Sequence, residues 1–138
     1  MSSGALRSRV VLDREFEGTT DTLRTARSEV WGRLSDRGLN LDLLERAELV
    51  VSELASNAVQ ASPRAPYRLC VAVAADESVV IELTSAAAPG GPPPRREWGP
   101  SNVLAPSGRG LMIVDELSDN VNVQRENEGK IVVTATLR

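Results

Sequence analysis

Glu53 and Asn57 lie one helical turn apart in the run Glu48-Leu-Val-Val-Ser-Glu-Leu-Ala-Ser-Asn-Ala-Val. At i, i+4 spacing they share one helix face and can point at one ligand. A carboxamide oxygen is the kind of hard ligand that Mg²⁺ takes while it keeps waters and bridges substrate phosphates. A carboxylate beside it can serve as a general base, accepting a proton from a hydroxyl or water that attacks a phosphate. Much later, Gly108-Arg-Gly-Leu opens another apolar run. Glycines there permit close backbone approach, and the bare N–H groups and dipole of a helix start favour an anion. Phosphoryl transfer asks for little beyond a metal, a positioned base and donors for the developing charge. Together these pieces would form a nucleotide–metal site. Each also has a plain structural alternative: Asn57 bonded to a loop carbonyl, Glu53 solvated on its helix, the glycines an ordinary helix start, and Arg109 solvated rather than clamping a phosphate.

The elements that must position these residues are readable from periodicity. Arg9 to Phe16 alternates and reads as a strand. Gly18-Thr-Thr-Asp supplies turn and N-cap chemistry, and Leu23, Ala26, Val30 and Leu34 follow at helical spacing until Gly38. Asn40 can cap a second helix, with Leu44, Ala47, Val51, Leu54, Ala58 and Ala61 as its seam and Ser62-Pro63 as its stop. Tyr67 to Ala74 and Val79 to Thr84 form a hairpin about Ala75-Asp-Glu-Ser. The stretch from Ser85 to Ser107 is rich in proline and glycine and has no period, so it reads as a lid. Gly108 to Leu117 reads as a third helix. Two strands around Val121–Val123 and Ile131–Leu137 close the chain through a turn at Asn127-Glu-Gly-Lys. The order β, α, α, β, β, lid, α, β, β predicts an α/β (α+β) two-layer sandwich, with a mixed, mostly antiparallel sheet covered by helices on one face.

Composition narrows the function classes. A chain of 138 residues suits one domain with one core, here expected over 8–138 with a disordered segment at 1–7. With aromatics at only 3%, that core must be aliphatic. A net charge of -3 argues against direct binding of nucleic acid and gives no reason to invoke a membrane surface. Histidine is absent, which removes Ser-His-Asp and Cys-His catalysis. The single cysteine, Cys70, lies in an alternating apolar run and is expected as a small core residue in a reducing compartment. No signal-peptide pattern or spanning apolar run is visible, so a cytoplasmic protein is expected.

The run from Glu48 to Val59 resembles the N box of the GHKL (HATPase_c) ATPase superfamily, which includes gyrase, histidine kinases and MutL. Gly108-Arg-Gly-Leu-Met-Ile-Val114 resembles its second glycine box. Size, element order and lid position agree, and the resemblance runs from about Val10 to Leu137. Within the superfamily the chain looks most like the small stand-alone anti-sigma-factor serine/threonine kinases of bacteria, especially their actinobacterial relatives. That resemblance implies a Bergerat ATP-binding fold with ATP and Mg²⁺ as cofactors. It implies Asn57 as metal ligand, Glu53 as catalytic base, and Gly108, Arg109, Gly110 and Leu111 in the nucleotide site, with the loop 86–107 as ATP lid. It also implies a sigma factor and an anti-anti-sigma (STAS-type) protein as alternating partners, phosphorylation of a serine on the latter, and a homodimer. The sequence departs from the family at the adenine corner. In Ile81-Glu-Leu-Thr-Ser-Ala-Ala-Ala-Pro-Gly, Ser85 stands where an adenine-binding Asp is expected, and glycines come only at Gly90 and Gly91. Ile131 stands near the place of a threonine common in the last hairpin, and Glu82 falls on the opposite side of its strand. The alternative reading is therefore a degenerate, non-catalytic module of the same fold that binds proteins with weak or no affinity for ATP.

Overall fold

The computed structural model describes residues 8–86, 106–126 and 129–138. Its elements are β1 (Arg9–Gly18), α1 (Thr20–Ser35), α2 (Leu41–Ala61), β2 (Arg64–Val73), β3 (Val79–Ala86), α3 (Pro106–Leu117), β4 (Asn120–Glu126) and β5 (Lys130–Leu137). The strands form one five-stranded sheet in the order β1-β2-β3-β5-β4. Every pairing among the described residues is antiparallel, the limiting case of the mostly antiparallel sheet expected. The alternation that marks the strands sorts their side chains. Leu69, Val71, Ile81, Leu83, Val133 and Ala135 are buried in a common core with α1 and α2, while Arg68, Glu82 and Gln124 stay exposed on the open face.

The ends of α1 and α2 have local reasons. The Asn40 carboxamide oxygen accepts from the Leu43 N–H at 2.8 Å and starts α2. Pro63 then prevents continuation past Ser62, and Arg64 takes a left-handed φ of 70° to turn the chain into β2. Gly38, with φ 74°, makes the corresponding turn after α1. The α2 seam is buried from Leu43 to Val59, which accounts for its long apolar periodicity.

Several boundaries differ from expectation because pairing, a non-local property, extends the strands. β1 reaches Gly18 and β2 begins at Arg64, since these residues pair with each other. A Cβ on Gly18 would fall 2.2 Å from the Ala65 carbonyl oxygen, so the crossing admits no side chain there. β3 runs to Ala86 because Ser85 and Ala86 pair with Ile131 and Lys130. α3 starts at Pro106 rather than Gly108, with proline in the first turn where a missing N–H costs nothing. The expected lid 86–107 thus gives up Ala86 to β3 and Pro106 and Ser107 to α3. The remainder, with Gly90, lies outside the described residues, as do 1–7 and part of the last hairpin turn. Cys70 is a correction: it points away from the helices, between the core residues Leu69 and Val71, and is only partly buried. Among the described residues no helix is long and apolar enough to cross a membrane.

The layer has two distinguishable ends. At one, Leu137 pairs with Val79, and Arg46 of α2 meets the ends of α3 and β5. At the other, the Ser62 hydroxyl at the end of α2 donates to the Ala86 carbonyl at the end of β3, at 3.4 Å. α3 ends at the first end, where Leu117 meets Arg46, and packs beside α2 with Leu111 and Val114 buried, so it runs toward the start of α2, antiparallel to that helix.

Candidate nucleotide and metal site

Glu53 and Asn57 both lie on α2, one turn apart, flanked by the buried Leu54 and Ala58. Both are partly buried, at the margin of the core rather than on the outer ridge. The Nδ2 atom of Asn57 is closed off from solvent and has no hydrogen-bond partner among the described residues. A buried amide left unmatched costs roughly 1–3 kcal/mol, so native folds rarely leave one without a reason. The plain alternative for this residue, a bond to a loop carbonyl, is not made among the described residues. A half-turn of the amide exchanges its oxygen and nitrogen, so the position can offer either a donor or an acceptor. Glu53 makes no ion pair or hydrogen bond among the described residues, which leaves its carboxylate uncommitted.

The glycine turn belongs to the start of α3, the helix packed against α2. Because α3 begins at Pro106, the first-turn amides without an intrahelical acceptor are those of Ser107 and Gly108, while Arg109 and Gly110 are already inside the hydrogen-bonded helix. Leu111 is buried and anchors this end to the core. The donor set therefore suits phosphate and a hard cation: a carboxamide, a carboxylate and a helix N-terminus on neighbouring elements.

Ser85 is less well matched to its expected partner. It lies on the helix-facing side of β3, in line with Ile81 and Leu83, directly across from Ile131. Both departures noted in the sequence thus meet at one point of the sheet. Glu82 cannot substitute, since it faces the open side, where it lines a hollow of about 620 Å³ together with Arg68, Thr84, Gln124 and Thr134. Periodicity did not single out that hollow, since these polar side chains read as solvated strand positions. Nor did it single out Arg46, whose only sequence signal is Asp42 four residues upstream.

A family model described as the histidine kinase-like ATPase domain matches residues 16–136, and the chain belongs to that family. Two solved structures are similar in fold. One is the RsbU and RsbW domains of Rv1364c from Mycobacterium tuberculosis, with TM-score 0.67, 17% identity and 92% of this chain covered. The chain spans only 32% of the length of that protein. The other is the SiaB–SiaC complex from Pseudomonas aeruginosa, with TM-score 0.71, 13% identity, and 94% of this chain and 90% of the matched chain covered. Among curated proteins no sequence match is found.

Proposed function

We propose that the chain is an anti-sigma-factor-type regulator that binds Mg-ATP and phosphorylates a serine of a STAS-type anti-anti-sigma partner, holding a sigma factor in alternation, in the cytoplasm. The observation that carries this reading is the buried amide of Asn57, without a partner among the described residues, one turn from the Glu53 carboxylate, which makes no ion pair or hydrogen bond among them. Membership of the ATPase family supports it. Among the described residues no three side chains of metal-binding type cluster together. Mg²⁺ would therefore rest on Asn57, nucleotide oxygens and water, the usual arrangement for this ion, and would offset the phosphate charge. Glu53 would take the proton of the incoming serine hydroxyl, and the amides of Ser107 and Gly108 would hold the phosphates at the head of α3. Arg109 and Gly110 would border that cradle, Ser85 would lie at the adenine end, and Gly90 would belong to the lid.

Isothermal calorimetry with Mg-ATP tests the reading. Binding is expected, and Asn57→Ala should abolish it; an unchanged affinity in that variant would remove Asn57 from the metal. No detectable binding at millimolar nucleotide would end the kinase reading.

A second reading has its own observation. Ser85 faces Ile131, so neither a carboxylate nor a hydroxyl-bearing partner stands at the adenine corner across that pair. The same fold would then capture a partner protein without nucleotide turnover. Transfer of labelled phosphate to a candidate partner separates the two, since this second reading expects none.

A further inference from the structure

Arg46 joins three elements through one guanidinium. Its Nε donates to Asp42 Oδ2 at 2.9 Å, its Nη1 to the Leu117 carbonyl at 3.2 Å, and its Nη2 to the Arg138 carbonyl at 2.5 Å. The Leu117 carbonyl is among the last acceptors of α3, which have no partner within the helix. A cation at that end also meets the negative pole of the helix dipole. α3 has no basic residue in its own last turn, so this cation comes from its neighbour α2. Asp42, one turn upstream, engages the third side of the fork, which fixes its direction.

The consequence is a register. α2 and α3 run antiparallel, and both rise about 1.5 Å per residue. As many residues separate Arg46 from Glu53 as separate Gly110 from Leu117. Pinning Leu117 to Arg46 therefore sets Gly110 level with Glu53, and the open amides of Ser107 and Gly108 level with the turn between Glu53 and Asn57. A slip of α3 by one residue would move every one of those amides along α2.

We propose that Arg46 is a positioning residue: by holding the far end of α3 it keeps the anion-binding end of that helix in register with Glu53 and Asn57. The proposal rests on the nucleotide reading above. Its sequence signal is slight, because an arginine off the apolar seam of a helix usually reads as solvated.

The experiment is calorimetry with Mg-ATP on the whole chain, with folding of each variant verified by circular dichroism. Arg46→Met keeps the aliphatic stem and removes the donors; it should weaken Mg-ATP binding roughly tenfold or more, the scale of one lost charged hydrogen bond. Arg46→Lys, which keeps the charge and can reach one carbonyl at a time, should bind Mg-ATP more tightly than the methionine variant; weaker binding than that variant overturns the proposal. The lysine variant compared with wild type also serves if the methionine variant does not fold, and wild-type affinity then overturns the proposal. Leu34→Ala, buried on α1 away from the α2–α3 seam, controls for general loss of stability. It should leave the affinity of the folded protein unchanged, and an equal loss there would reduce Arg46 to an ordinary structural residue. A wild-type chain that binds no Mg-ATP would bring down the nucleotide reading and this proposal together. A wild-type chain that binds, with a methionine variant that binds equally well, brings down only the role of Arg46.

Discussion

Ser85 sits on the helix side of β3 opposite Ile131, so its short hydroxyl borders an apolar neighbour. Replacing it by aspartate should restore a charged acceptor worth roughly 1.5–3 kcal/mol, or about ten- to a hundredfold in nucleotide affinity. Titration of Ser85→Asp with Mg-ATP checks this, and no gain would mean that adenine does not reach this residue. Two other carboxylates set an acid limit on stability. Two hydrogen bonds from Arg68 hold the Asp13 carboxyl below its ordinary value of 3.8, and the Ser78 hydroxyl and N–H do the same for Asp76. A depressed folded-state value gives stability that is present above pH 3.8 and lost as pH falls through the folded value. Asp13→Asn should accordingly flatten the decline of the thermal midpoint below about pH 4. An acid profile identical to wild type would show that this exposed pair contributes nothing.

At the scale of elements, α2 carries both the core seam and the candidate chemistry, so its start matters more than most caps. Asn40→Ala should cost about 1 kcal/mol, the usual worth of such a cap, read as a lower midpoint in urea denaturation. A midpoint equal to wild type would mean that water replaces the Leu43 bond without loss. This helix is also the most legible part of the sequence. Its seam, its Asn40 cap and its Pro63 stop are local signals that agree with one another, and the structure has all three, except that Ala61 at the end of the expected seam is exposed. The strand ends are less legible, because Gly18 with Arg64 and Ser85 with Ile131 are joined by pairing between distant residues. The start of α3 was displaced by two residues because Pro106 and Ser107 resemble loop when read alone, whereas proline is well suited to a first helical turn.

For the whole molecule, the candidate site is spread over elements that meet only in the fold. Glu53 and Asn57 were visible together because they share a helix, and the glycine turn was visible as a motif. The Asn57 amide's lack of a partner among the described residues and the tie from Arg46 to Leu117 and Arg138 needed three dimensions. Cys70 shows the opposite failure: its apolar neighbours suggested the core, but strand alternation turns it outward, in one row with Asp13 and Glu82. Burial, reinforced by those two carboxylates, pushes its thiol above the ordinary cysteine value. As the only cysteine in the chain, it is a ready-made single-site reporter on the uncovered face of the sheet. Under mildly alkaline conditions its alkylation rate should fall when a second copy or another protein covers that face, and stay constant when nucleotide fills the helical side. One unmodified thiol can thus distinguish partner capture from ligand binding in the wild-type protein.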